Sequence, residues 1–270
     1  MKGKTTERLS PAMGVRVDGL DLKYANDEMV AELRSLLNEH HVVCVSEQDL
    51  HEEEQQSFGM LWGELLTHPA SMKRSNPHVQ MLTGDGRAKN RAFGSWHSDM
   101  TWHPTPPWIT MLHSRTIPGF GGDTGYANQH LAWEYLDQAR KDQRRSHRRY
   151  LPTAEQLLDS RANHTGKGFG PNVPDSIHPV IRTHNENGKQ ALYVNPEFTT
   201  HIVDVPEEKS RGMLFPLWLH AITEEFSYRH RWRAGDIVIW DNRSVMHTAI
   251  LDYDEPRAMQ RIVIKGDKPT

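Results

Sequence analysis

Only one cysteine, Cys44, occurs in the 270 residues. No intrachain disulfide can form, and such thiol usage suits a reducing compartment. No run of 18 apolar residues is present to cross a bilayer as a helix, and the start, Met1-Lys2-Gly3-Lys4-Thr5-Thr6-Glu7-Arg8, has no apolar stretch behind its charges. An excess of one charge is also missing. The 32 Lys and Arg against 35 Asp and Glu leave a formal −3, too little to draw in nucleic acid or an anionic membrane. The expectation is a cytoplasmic protein with no nucleic-acid or membrane partner, whose binding is local; a homo-oligomer stays open. What is plentiful is histidine, 17 residues, and aromatic bulk for a core: 8 Trp, 7 Tyr and 7 Phe.

Strand-type patterns dominate the chain. Asn26 is placed to cap a helix in which Met29, Val30, Leu33, Leu36 and Leu37 share one face. His41 to Val45 reads as a buried strand, making Cys44 a core residue, and Glu52 to Leu65 as a second amphipathic helix. Further strands are expected at 79–83, 109–117, 177–183, 191–194, 226–233, 237–240 and 260–265, with Asn187-Gly188 supporting a hairpin. Asn128 can cap a helix through Trp133 and Leu136, and 206–222 is helical in pattern, kinked or divided at Pro216. The run Arg140, Lys141, Arg144, Arg145, Arg148 and Arg149 reads as a solvated helix face. Residues 159–176, rich in Gly, Asn and Pro, read as a mobile, lid-like loop. No repeat or linker divides the sequence, so residues 1–270 are read as a single domain.

Trp96-His97-Ser98-Asp99-Met100-Thr101-Trp102 fits a strand, which would project His97 and Asp99 to one side and Ser98 to the other. An imidazole and a carboxylate so placed supply two cis metal ligands. His247, just beyond the buried strand ending at Trp240 and the turn Asp241-Asn242-Arg243, is the candidate third. Two histidines and one carboxylate form a face that leaves positions open for substrate and oxygen on non-haem Fe(II). Arg257 and Arg261, four apart entering the last strand, share a face and suit two-pronged binding of carboxylates. From these residues alone, a metal-dependent hydrolase or a non-catalytic protein that binds a small acid also remains open.

Trp-His-x-Asp at 96–99, Gly121-Gly122-Asp123-Thr124, His178-Pro179-Val180, Gly188 to Asn195, Trp240-Asp241-Asn242-Arg243, His247 and the segment from Arg257 to Pro269 together resemble the taurine dioxygenase family, with the motifs in family order. That family includes dioxygenases of alkyl sulfates and aryloxyalkanoates. The resemblance implies a mostly β fold with flanking helices, a double-stranded β-helix or jelly roll, and Fe(II), 2-oxoglutarate and O2 as cofactors. It implies His97, Asp99 and His247 as iron ligands, and Thr124 with Arg257 as the grip on 2-oxoglutarate. Arg261 matches an arginine near both the co-substrate and the acid group of the prime substrate, and His68 a substrate-contacting histidine. Phe93 stands where the taurine enzyme has an asparagine, which implies a more apolar substrate than taurine. The carboxylate of Asp99 sets the chain apart from halogenases of this iron class, which leave that position to chloride, so hydroxylation or oxidative cleavage of a small anionic substrate is expected.

Overall fold

The computed structural model describes residues 3–67, 71, 72, 74–85, 95–140, 151–167, 173 and 175–270. Helix α1 (Asp27–His40) starts where Asn26 Oδ1 accepts the Met29 amide, and it ends at His41, whose left-handed backbone (φ 65°) turns the chain into β3 (Val42–Val45). Val30, Leu33 and Leu37 form its buried stripe, as their spacing predicts. Helix α2 (Glu52–Met60) is shorter than expected, because the chain leaves the helix at Leu61 and swings through Gly63 at φ 144°.

Two sheets face each other across a core. The larger has seven strands in the order β1 (Thr5–Arg8), β2 (Val15–Asp18), β3, β13 (Ile237–Asp241), β5 (Ile109–Thr116), β15 (Arg257–Ile264) and β4 (Gln80–Gly84). The smaller is β12 (Ser227–His230), β6 (Thr124–Asn128) and β14 (Val245–Ala249). Cys44, Leu112, Val238, Trp240 and Met259 of the first meet Tyr126 and Val245 of the second. On the other face of the large sheet, Val43, Val45, Met111, Ile237, Ile239 and Ile262 pack against α1 and α2 through Leu33, Leu37 and Phe58. Burial on both faces explains why Ile237-Val238-Ile239-Trp240 is apolar without alternation.

A second core, around Leu157, Val180, Leu192, Leu214 and Leu217, lies among α3 (Gln129–Glu134), α4 (Ala154–Leu158), α5 (Glu207–Ala221) and two small sheets. These are β11 (Thr199–Ile202), β7 (Arg161–His164) and β8 (Ser176–Pro179), and the hairpin of β9 (Ile181–Thr183) with β10 (Gln190–Leu192) across the expected Asn-Gly turn. One expectation fails here, and one is narrowed. Part of the segment read as a loop over 159–176 is strand β7, which pairs with both β8 and β11 and buries Ala162 and His164; residues 168–172 and 174 lie outside the described residues. Pro216 does not divide α5: it is buried while Gly212, whose carbonyl loses its donor to the proline, is exposed to water. Of the basic run, all but Arg140 lies outside the described residues.

Candidate active site

His97 and His247 are joined backbone to backbone. The His97 amide donates to the His247 carbonyl at 3.0 Å and the His247 amide to the His97 carbonyl at 2.7 Å, a single antiparallel rung on the free edge of β14. The strand expected over 96–102 does not form. His97 alone is bridged; the chain turns from Asp99 onward, and Met100 takes φ 47°. Ser98 points away as expected, its hydroxyl donating to the Val245 carbonyl at 2.8 Å. Asp99 is delivered to the site by this turn rather than by strand alternation.

The three side chains converge. His97 Nε2 lies 3.8 Å and His247 Nε2 3.9 Å from Asp99 Oδ1, and one ligand atom of each falls within 4.8 Å of the others. Metal–ligand bonds of about 2.1 Å span such gaps. His97 Nδ1 is 2.8 Å from the Ser95 carbonyl, a bond it makes as the N–H donor, which leaves the Nε2 lone pair for a metal. Asp99 is held at two points: its amide donates to Asn242 Oδ1 at 3.1 Å and Thr110 Oγ1 donates to its Oδ2 at 2.5 Å, and the two holders are themselves joined, Asn242 Nδ2 donating to Thr110 Oγ1 at 2.9 Å. Trp240 Nε1 fixes Asn242 in turn, at 3.1 Å.

Protonation states favour a cation. Burial alone would raise the Asp99 carboxyl, but Arg261, His247, His97 and the Thr110 hydroxyl together hold it well below the usual carboxylate range. Burial, reinforced by His97 and opposed by Asp99, pushes His247 down to about 3. An ionised carboxylate beside a neutral imidazole is what a divalent metal requires of its ligands. A second trio, Cys44, His230 and Asp236, also brings ligand atoms within 4.8 Å, but Arg16 Nη1 already stands 3.3 Å from Asp236 and burial raises the Cys44 thiol. That trio has a resident cation in Arg16; the His97 trio, with O and N donors only, suits non-haem iron.

Arg257 and Arg261 both lie on β15, and their even spacing turns them to one face. Arg257 Nε donates to the Gly122 carbonyl at 3.1 Å, tying it to the chain just before Thr124. Gly121 and Gly122 both have φ near 70°, and a Cβ on Gly121 would meet the Asp252 carbonyl at 2.7 Å, so glycine is required there. Thr124 Oγ1 accepts from Trp232 Nε1 at 3.0 Å. Burial lowers the Arg257 guanidinium, against Tyr253, Tyr126 and Asp123, and among the described residues it forms no ion pair. Arg261 Nη2 sits 3.2 Å from Asp99 Oδ1, at ion-pair distance but not aligned to hydrogen-bond; its Nε and Nη2 are buried without a hydrogen-bond partner, as is Tyr126 Oη. Buried, unsatisfied donors grouped around the trio fit an anionic co-substrate and substrate beside the metal.

Tyr126, Thr110 and Asn242 are absent from the sequence reading of the site. Tyr126 had a signal: two residues beyond Thr124 on a strand, it shares Thr124's face and pairs with His247 across the ladder. His68 and Phe93, expected at the substrate, lie outside the described residues. An apolar cluster of Met100, Trp102 and Phe198, joined by Leu66 and Val173, stands next to the trio, with the Phe198 and His97 rings edge to face at 5.7 Å.

Residues 5–263 match the family model described as taurine catabolism dioxygenase TauD, TfdA family. The chain belongs to this family. A relative within it, an alkylsulfatase of Acinetobacter baylyi, is 31% identical over 285 residues, covering 97% of this chain and 85% of its own. A 2,4-dichlorophenoxyacetate dioxygenase of Cupriavidus pinatubonensis is 28% identical over 260 residues, 88% of this chain and 89% of its own. Among solved structures, a taurine dioxygenase from Burkholderia xenovorans superposes with a TM-score of 0.84 at 31% identity, covering 99% of this chain and 92% of that one. As a TauD, TfdA family member the chain is a 2-oxoglutarate-dependent dioxygenase, with Fe(II), 2-oxoglutarate and O2 as its cofactors.

Proposed function

We propose that this dioxygenase hydroxylates or oxidatively cleaves a small organic anion, a carboxylate, sulfonate or sulfate ester, with 2-oxoglutarate leaving as succinate and CO2, on a double-stranded β-helix formed by one domain of residues 1–270. His97, Asp99 and His247 hold Fe(II), and Thr124 and Arg257 hold the far carboxylate of 2-oxoglutarate. Bound iron, co-substrate and oxygen supply the oxidation of a C–H bond. The protein's part is to place that carbon and keep water out.

The observation that carries this reading is Arg261. Its guanidinium lies 3.2 Å from a metal-ligating candidate, Asp99, with two buried nitrogens unsatisfied. A fixed positive charge next to the metal position would hold the acid end of a substrate so that a neighbouring C–H lies at the metal. The Met100, Trp102 and Phe198 cluster offers an apolar wall for the rest of that molecule. Phe93 and His68, which the family resemblance assigns to the substrate, agree with the same preference. The names of the relatives, for alkyl sulfates and an aryloxyacetate, agree with an acid on an apolar body.

The test compares succinate formation with matched substrates bearing an acid, an amide or an ester at the same carbon, with Fe(II) and 2-oxoglutarate supplied. Turnover of the acid alone, lost with Arg261→Ala, is the expected result. Equal turnover of the neutral analogues, or turnover of the acid unchanged in Arg261→Ala, would overturn the anionic-substrate reading.

A further inference from the structure

Away from the trio, the end of β2, the loop 117–121 and the segment 228–233 enclose a cavity of about 510 Å³. Four arginines line it, Arg16, Arg229, Arg231 and Arg233, together with Trp232 and the exposed Phe120. Among the described residues that line it, none is acidic. The sequence accounts for the array: Arg229, Arg231 and Arg233 alternate with His230 and Trp232, so in extended chain the arginines share one side while the two rings, both buried, share the other.

The four guanidinium groups are not equivalent. Arg16 is 6% exposed and fixed by Asp236, and Tyr228 beside it is fixed by a 2.9 Å bond to His230 Nδ1, which makes a rigid floor. Arg229 is paired outward with Asp123 and Asp252, at 2.6 and 2.8 Å. Arg231 and Arg233 are exposed and, among the described residues, form no ion pair. Two positive charges with no ion pair among the described residues therefore line a cavity whose apolar walls include Phe120, Ile117 and Leu9. Guanidinium forks recognise carboxylates and sulfates, and the aromatic and aliphatic walls take an apolar body.

We propose that this cavity is a second binding site, separate from the iron centre, for a small organic anion with an apolar body, held at its acid end by Arg231 and Arg233 over the floor of Arg16. The site does not depend on turnover. It adjoins the co-substrate grip through Trp232, whose Nε1 donates to Thr124.

Calorimetric titration of the full chain, loaded with Fe(II) and 2-oxoglutarate in the absence of oxygen, tests this with benzoate, hexanoate, inorganic sulfate and hexylammonium as probes. Benzoate and hexanoate are expected to bind, sulfate more weakly and hexylammonium not at all. The Arg231→Ala, Arg233→Ala double variant, whose two side chains are exposed and, among the described residues, free of ion pairs, is expected to fold and to weaken benzoate at least tenfold. Arg261→Ala is expected to leave this binding in place, which separates it from the prime-substrate pocket. No binding of benzoate at millimolar concentration, binding unchanged in the double variant, or binding lost in Arg261→Ala alone would each overturn the proposal.

Discussion

The hydroxyl of Thr110 donates to Asp99 Oδ2 and accepts from Asn242 Nδ2, so one strand residue of the large sheet fixes the carboxylate that faces the metal position. Thr110→Val keeps shape and removes both bonds. Fe(II) affinity is expected to fall by roughly 10–100-fold, the usual cost of losing a partner behind a metal ligand. Titration of Fe(II) into the apo variant checks this, and unchanged affinity would show that Asn242 and the turn suffice to hold Asp99.

His97 contributes a ring that is a quarter exposed, with a side-chain relative accessibility of 25%, so little core packing is lost with it. In His97→Ala, turnover is expected to vanish while the denaturation midpoint stays near that of the parent. Activity resembling the parent would remove His97 from the metal set.

Arg257 is half-buried and spends one N–H on the Gly122 carbonyl, which leaves the rest of its fork for the proposed grip on 2-oxoglutarate. Losing one charged hydrogen-bond partner costs about 1.5–3 kcal/mol, so Arg257→Ala is expected to raise the 2-oxoglutarate requirement roughly ten- to a hundredfold. Measuring the apparent KM for 2-oxoglutarate decides it: an unchanged value would return Arg257 to a structural role.

Arg243 and Asp241 form a buried pair, with Arg243 Nη2 2.6 Å from Asp241 Oδ2, and the same guanidinium reaches Asn185 and Glu186 at 2.6 Å and stacks over Trp108 at 4.6 Å. His184 joins at 3.0 Å from Asp241. Arg243→Met leaves a buried carboxylate uncompensated and is expected to destabilise by about 3–5 kcal/mol. Adding Asp241→Leu should return part of that loss. Urea midpoints of the two singles and the double give the coupling, and strict additivity would mean the pair is not a unit.

Burial, the largest cause in each case, pushes His113, His130 and His178 down to about 4 and His41 and His164 down to about 3, from an ordinary 6.5. Between those values and 6.5 the unfolded chain binds protons that the folded chain refuses, so stability rises with pH across the window and falls as acid is added. Glu186 works in the same direction lower down: burial would raise it, but Arg34, Asn38 and Arg243 hold it at about 2, a contribution present above pH 4.5 and lost as pH falls toward 2. The thermal midpoint is expected to fall steadily from pH 7 to pH 4 as these contributions are lost. Thermal midpoints of the chelator-treated protein across that range test it; a flat profile would mean these rings are solvated.

What the sequence disclosed depended on how local the cause was. Asn26 and the spacing of Val30, Leu33 and Leu37 settle α1 within a few residues, and the unbroken apolar run 237–240 settles β13. The strand β7 holds a single small apolar residue, Ala162, and exists because β8 and β11 flank it, which no local pattern reveals. The same division holds at the site. His97, Asp99 and His247 are conspicuous by chemistry. Thr110 and Asn242 are ordinary polar residues until the fold sets them against Asp99, and the left-handed Met100 that turns Asp99 inward has no glycine to announce it.

The reciprocal amide bonds between His97 and His247 carry one further consequence. They make half of the proposed metal centre a product of folding rather than of metal capture: the spacing of the two imidazole-bearing backbones is riveted before any ion arrives. Emptying or exchanging the metal should therefore leave the amide hydrogens of both histidines as protected from deuterium exchange as those of β14 itself.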